Sequence, residues 1–433
     1  MTAPDLQGVR SAVVGAARSG LAAAALLRAR GAEVLLLDEK QVSVTAPAGV
    51  KLRLGQPGFA LGDRELVVVS PGVPWNHPDL KAAREAGRRV VGEVELASWF
   101  LTAPIAAVTG TNGKSTTTAL LGAMLSAGGL RTFVGGNLGT PLSEAVGGDF
   151  DALVVELSSF QLEGITTLHP RAAAILNLTP DHLDRYPTLE AYADAKARIF
   201  ARQEAERDLS VLNADDPWFE RFRARARGRL KTFAIRAPAD AQPGPSGFTV
   251  GQCGYRVENV ALRGEHNLAN AMAAALLASG MGVAPDAIQK GLDVFPGLPH
   301  RLELVRRTRG VEWINDSKAT NVDSTTVALK AIPGPLVWIA GGRGKGAPYA
   351  PLQPLLAGRL RRSLLIGEDA SRIESELPEG AERSQTLERA VARAAEIARP
   401  GDTVLMSPAC ASYDQFKNYE ERGERFRALV EAL

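Results

Sequence analysis

AVTGTNGKSTTTALL, residues 107–121, sets a glycine-rich turn between an apolar, β-type run and a helical stretch. Backbone N–H groups in such a turn, together with the N-terminus of the helix that follows, make a concave site for anions. Lys114 adds a point charge within reach of nucleotide β- and γ-phosphates, and the Ser115 hydroxyl is suited to ligate Mg²⁺. The full G-x-x-x-x-G-K-[ST] pattern lacks its first glycine, because Val108 stands there. Strand, loop, Gly-Lys-Ser and helix nevertheless occur in the right order. Gly110, Thr111, Asn112, Gly113, Lys114, Ser115 and Thr116 are therefore the expected nucleotide-binding loop. The plain alternative is a helix capped by Ser115 with a solvated lysine beside it.

Around this loop, apolar runs that read as buried strands alternate with Ala/Leu-rich helical stretches, the pattern of parallel α/β architecture. The chain has 433 residues, more than one hydrophobic core organises. The unit holding the loop contains strands at 105–108, 153–156 and 173–176, and helices at 115–125, about 190–203 and 267–279, the last stopped by Gly280. Upstream, SAVVGAARSGLAAAALLRARGAEVLLLDE gives a strand at 12–14, a helix to Arg30 and a strand at 34–37 ending on Asp38. A strand at 66–69 closes on a Pro-Gly turn. Downstream, FPGLPHR (295–301) reads as a linker. Beyond it lie strands near 311–314, 336–340, 363–366 and 403–406, with helices at 387–398 and 414–433. Only residues 238–247 read as an extended loop. The expectation is three α/β domains: a Rossmann-like N-terminal domain (1–92), a central P-loop-type mononucleotide-binding domain (93–297) and a C-terminal Rossmann-like domain (298–433).

Composition narrows the function. The 50 basic and 48 acidic residues give a net charge of +2, which argues against a protein whose main work is gripping nucleic acid. Cys253 and Cys410 lie far apart without metal-ligand spacing, so a reducing compartment is expected. The N-terminus lacks a signal-type pattern, and the longest Ala/Leu run is too short to span a bilayer. A soluble, cytoplasmic protein with no membrane span is the expectation.

A nucleotide with its metal needs oxygen ligands near strand ends. Glu156 closes the apolar strand of LVVELSSFQL, and ligands gather at the carboxyl ends of strands in open α/β sheets. His182, one of five histidines, stands in a turn-rich Pro-Asp-His stretch. Lys196, taken alone, reads as a solvated helix lysine. The segments TGTNGKST, ELSSFQL and LNLTPDHLDRY resemble the Mur ligases of bacterial cell-wall synthesis, in the family's order and over nearly the whole chain. That resemblance implies an ATP-dependent amide ligase with two Mg²⁺ ions, in which Lys114, Ser115, Glu156 and His182 hold phosphates and metal. It further implies that Lys196 is carbamylated, turning a cation into an anion that helps hold the second Mg²⁺. Asn267 and Asn270 begin a helix three residues apart, so both can project from one face; the resemblance puts Asn270 on nucleotide or phosphate. Arg301 matches a linker arginine that approaches ATP phosphates, and as an arginine it can grip them bidentately.

Substrate choice rests on the last unit. In VEWINDSKATN, Asp316, Lys318 and Thr320 alternate with period two and share one side if the chain stays extended; a surface loop is the dull alternative. With SPACASYDQFKNYEERG this stretch resembles the branch of the family that joins D-glutamate to UDP-N-acetylmuramoyl-L-alanine. In that branch Thr320, Lys345, Ser412 and the ring of Tyr419 match positions around the D-glutamate. GAARSG reads as a weakened dinucleotide fingerprint, with Ala17 in place of its second glycine. By resemblance Arg18, Ser19, Asp38, Ser70 and Gly72 surround uridine and diphosphate, while Asn137 and His182 lie nearer the sugar. The implied chemistry is transfer of the γ-phosphoryl to a carboxylate, followed by attack of an amine on the acyl-phosphate. A monomer is expected. Alternatives are a sister amide ligase for folate or another muropeptide, a nucleotide-binding module with degenerate catalysis and, resting on GAARSG alone, a dehydrogenase.

Overall fold

The computed structural model describes residues 3–181 and 185–433. The chain forms two compact units, one of residues 1–257 with 269–294, the other of residues 258–268 with 295–433.

The first unit holds two sheets. Five parallel strands run in the order Lys51–Leu54, Glu33–Asp38, Arg10–Val14, Leu66–Val69 and Arg89–Gly92. Helix Arg18–Ala29 buries Ala23, Ala24, Leu26 and Leu27 against Val13, Leu36 and Val68. Because a parallel sheet is covered on both faces, its strands read as unbroken apolar runs; all four residues of Leu66–Val69 are buried.

The second sheet has nine strands. Its parallel part runs Arg229–Phe233, Leu209–Asn213, Ala172–Ile175, Ile105–Thr109, Ala152–Glu156 and Thr132–Gly136. Strand order reverses at Ile105–Thr109, which lies between Ala172–Ile175 and Ala152–Glu156. A crevice outside the carboxyl ends at such a reversal is where this architecture binds ligands. Residues 238–247, expected as an extended loop, instead begin a meander: Ala241–Gly244, Gly247–Val250 and Cys253–Arg256 pair antiparallel. Phe248 and Tyr255 stack with ring centroids 5.1 Å apart and are buried, contributing about 1.5–3 kcal/mol each. Tertiary burial overrides the Pro/Gly composition. The helix expected to reach residue 203 is α-helical only over Leu189–Ala197, and Arg198–Phe200 tightens into a 3₁₀ turn.

The second unit carries six strands in the order Glu303–Thr308, Val311–Asn315, Thr403–Met406, Leu336–Gly341, Leu360–Ile366 and Ala381–Gln385; only the first pair is antiparallel. The last helix begins at Tyr419 rather than 414, because the Asn418 side chain accepts the Glu421 N–H and caps it there.

Candidate active site

The 110–114 loop leaves the strand Ile105–Thr109, and the neighbouring strands pin it. The Asn177 carbonyl accepts the Thr111 N–H (3.0 Å), and its side chain both accepts the Asn112 N–H (2.8 Å) and donates to the Asn112 carbonyl (3.0 Å). Thr111 Oγ1 accepts the Thr179 N–H and lies 3.4 Å from the Tyr192 hydroxyl. Gly113 caps helix Lys114–Ala127 with φ +83°. A Cβ there would lie 2.2 Å from Asn270 Oδ1, so only glycine lets the loop lie against Asn270. The Lys114 ammonium donates to the carbonyls of Gly110 (2.9 Å) and Thr111 (2.8 Å). Ser115 is half-buried in the first helical turn, and the buried Thr116 hydroxyl has no hydrogen-bond partner among the described residues.

Glu156 ends the adjacent strand and is only 2% exposed. Its Oε1 accepts from Asn137 Nδ2 at 2.7 Å, while Oε2 is buried and lacks a partner among the described residues. A buried carboxylate oxygen without a donor is costly, and a metal ion or water would satisfy it. Lys196, on helix Leu189–Ala197, is 1% exposed and donates to the Gly110 carbonyl at 2.8 Å. Burial, then the charge of Lys114, pushes its ammonium well below the usual lysine range, against the pull of Asp181 and Glu156. Burial likewise raises the Tyr192 phenol to about 12. Loop, Glu156 and Lys196 are thus gathered at one sheet end. His182 lies outside the described residues. Among the described residues no group of three or more His, Cys, Asp and Glu could hold a metal.

Helix Glu265–Gly280 carries the two asparagines. Asn270 meets the loop in the first unit, whereas Asn267 falls in the second, where its Nδ2 donates to the Arg263 carbonyl at 3.0 Å. In the second unit Arg301 is half-buried. Asp316 is buried, accepting from Ser407 Oγ (2.7 Å) and the Leu302 N–H (3.2 Å). Burial raises its carboxyl to about 7, opposed by those two hydrogen bonds and by the charges of Arg301 and Arg422.

The expected alternation of Asp316, Lys318 and Thr320 does not occur. The strand stops at Asn315, and the Ala319 and Thr320 N–H groups donate back to the Asp316 and Lys318 carbonyls, turning the chain. Through that turn Thr320 Oγ1 accepts from Lys345 Nζ at 3.3 Å, and the Lys318 ammonium sits 5.9 Å from the centre of the Tyr419 ring. Ser412 is buried near the start of a turn that leads to Tyr419.

At the first sheet the Asp38 carboxylate accepts the N–H of Ala16 (2.8 Å) and of Lys40 (2.9 Å). The buried Ser70 hydroxyl donates to the Gly15 carbonyl at 2.9 Å. These bonds shape the turn that presents Arg18, exposed, and Ser19, half-buried; Gly72 is exposed two residues past Ser70. Asn137 donates to Glu156.

Three contributors escaped the sequence reading. Asn177 sits inside LNLTPDHLDRY and could have been noticed as the polar residue directly after an apolar strand. Tyr192 lies one helical turn before Lys196, a spacing that brings both onto one face. Arg422 looks like one more charge in YEERGERF, yet it is buried, and its guanidinium donates to Ser317 Oγ (2.9 Å), the Ser317 carbonyl and the Cys410 carbonyl. The signal was its i, i+4, i+8 spacing with buried Phe426 and Val430.

Family models match along the chain in order: the N-terminal domain of MurD-like Mur ligases over residues 9–92, the Mur ligase middle domain over 108–278 and the Mur ligase glutamate ligase domain over 300–410. The chain is 55% identical to the UDP-N-acetylmuramoylalanine–D-glutamate ligase of Anaeromyxobacter dehalogenans, covering 99% of each chain. It is 53% identical to the enzyme of that name from Myxococcus xanthus, again over 99% of each. The crystal structure of UDP-N-acetylmuramate-alanine ligase from Thermotoga maritima shares the fold at 19% identity, with a TM-score of 0.61 over 98% of this chain and 99% of that one. With a nucleotide loop, a buried carboxylate and a buried lysine at one sheet end, and with three domain matches in order, the chain belongs to the Mur ligase family, on the branch of the UDP-N-acetylmuramoylalanine–D-glutamate ligases.

Proposed function

We propose that the protein joins D-glutamate to the L-alanine carboxylate of UDP-N-acetylmuramoyl-L-alanine, using ATP to make an acyl-phosphate, in the synthesis of peptidoglycan precursors. The observation that carries this reading is the meeting of the 110–114 loop, the Glu156 oxygen that lacks a partner among the described residues and the buried Lys196 amine beyond adjacent parallel strands.

In this reading the backbone of Gly110–Thr116 cradles the triphosphate and the Lys114 ammonium moves from the loop carbonyls to the phosphates, offsetting negative charge as the phosphoryl group transfers. Asn270 and Arg301 steady the nucleotide, with Asn267 and Asp316 in support. Ser115, Glu156, His182 and the modified Lys196 would hold two Mg²⁺ ions; the Glu156 oxygen, without a partner among the described residues, and the donor set suit a hard, oxygen-seeking cation. Mg²⁺ bound there would neutralise phosphate charge. Burial disfavours the charged form of Lys196, and its neutral amine is a nucleophile toward carbon dioxide: its nitrogen forms the C–N bond, a proton leaves, and the carbamate supplies two oxygens. Arg18, Ser19, Asp38, Ser70 and Gly72 take the uridine diphosphate end, and Asn137 and His182 lie toward the sugar. Lys345 with Thr320, Lys318, Ser412 and the Tyr419 ring receive D-glutamate, whose amine attacks the acyl-phosphate and releases inorganic phosphate.

We assign domain limits at 92/93 and 297/298, a monomer, and a cytoplasmic location. No described helix is long and apolar enough to cross a membrane. The test is ADP release with ATP, UDP-N-acetylmuramoyl-L-alanine and D-glutamate, omitting each in turn. Turnover that needs all three supports the assignment. Turnover with a different amino acid or acceptor instead would favour a sister ligase.

A further inference from the structure

Arg185 belongs to LNLTPDHLDRY, the stretch that also holds His182, yet its side chain reaches the loop that follows the strand Leu66–Val69. Its Nη1 donates to the Pro71 carbonyl at 3.0 Å and its Nη2 to the Val73 carbonyl at 3.4 Å. Nη2 also pairs with Glu163 at 2.5 Å, and the guanidinium lies 3.8 Å from the centre of the Phe160 ring. With side-chain exposures of 14% and 15%, the Arg185–Glu163 pair is shielded from solvent, so the fork is fixed rather than sampling water.

Both ends of this contact lead to a ligand loop. On one side Ser70 ties the 70–73 loop to the turn at Gly15, where a Cβ would come within 2.8 Å of Ser70 Cβ. On the other side the rings continue: Phe160 lies 6.1 Å from Tyr186, and Tyr186 lies 5.2 Å from Tyr192. Tyr192 reaches the Thr111 hydroxyl of the phosphate loop and packs against the Lys196 ammonium, 4.5 Å from its ring centre. Such a close-packed chain cannot shift at one end without repacking at the other.

We propose that Arg185 is a positioning residue that couples occupancy of the 70–73 loop by the UDP end of the substrate to the arrangement of the nucleotide loop, through Phe160, Tyr186 and Tyr192. This rests on the substrate reading above. Coupling between two ligands is reciprocal and is read as a ratio of affinities.

Isothermal titration of UDP-N-acetylmuramoyl-L-alanine into the full chain, with and without Mg²⁺ and a non-hydrolysable ATP analogue, measures that ratio. In the unmodified protein we expect the two ligands to change each other's affinity about 5-fold or more. In Arg185→Ala the ratio should fall to within about 2-fold of one, while each ligand alone still binds. Arg185→Lys, which keeps charge but loses the fork, should fall between. Glu163→Gln, which frees the guanidinium without removing it, gives a second test should Arg185→Ala fold poorly, and should also lower the ratio. A ratio near one in the unmodified protein, or an unchanged ratio in Arg185→Ala and Glu163→Gln despite a lower melting temperature, overturns the proposal and leaves Arg185 a structural tie. If the unmodified protein binds no UDP-N-acetylmuramoyl-L-alanine at all, the substrate reading fails first.

Discussion

Lys196 shows what burial does to a single residue. In sequence it is an ordinary helix lysine; in the fold it is 1% exposed, bonded to the Gly110 carbonyl and beside Lys114. Burial of this kind disfavours the charged form of the amine. Lys196→Ala should lower ADP release by about 100-fold or more, with partial recovery on adding a short carboxylic acid that replaces the carbamate oxygens. An Ala variant with full turnover ends that assignment. Asp316 offers a pH test. Burial raises its folded carboxyl to about 7, above the ordinary value near 4. The folded state therefore favours the protonated form: the stability Asp316 lends is complete below pH ~4, declines as pH climbs and is gone above pH ~7. The melting-temperature gap between Asp316→Asn and the parent should widen in the variant's favour from pH 4 to 7 and then stay level. A gap independent of pH would mean that the carboxylate is solvated in the fold.

At the scale of elements, the strand–turn–helix at 105–127 depends on Gly113. Alanine there meets a left-handed φ, costing about 1–2 kcal/mol, and a Cβ 2.2 Å from Asn270 Oδ1. Gly113→Ala should keep its far-UV circular dichroism yet bind the ATP analogue at least about 10-fold more weakly, since about 1.4 kcal/mol is tenfold. The C-terminal helix rests on a different device. Its Asn418 cap holds the Glu421 N–H at 2.8 Å, so Asn418→Ala should destabilise the second unit by about 1 kcal/mol, readable as a lower denaturation midpoint. Elements with strong period or cap signals were legible in sequence to within a few residues. Those that failed, the 241–256 meander and the turn at 316–320, are set by particular side-chain contacts: Phe248 stacked on Tyr255 across a hairpin, and Asp316 bonded to Ser407 and Leu302.

For the whole molecule, two compact units carry different parts of the proposed work. Hydrogen exchange should register this separately, because a ligand protects the structure it binds. The ATP analogue with Mg²⁺ should slow exchange chiefly in segments 107–121, 153–157 and 175–197. D-Glutamate, added to the complex with both other ligands, should slow 316–320, 341–346 and 410–419. Protection spread evenly over the chain would contradict the division of sites.

Local pattern alone was enough for the α/β alternation and the phosphate loop, since periodicity, glycine-lysine-serine order and strand-end carboxylates are local properties of the chain. Which charges are buried, and what they face, follows mainly from long-range packing. Lys196 reads as a solvated helix lysine and Asp316 as a strand-end carboxylate until strands and helices far apart in the chain close over them, and desolvation then fixes their chemistry.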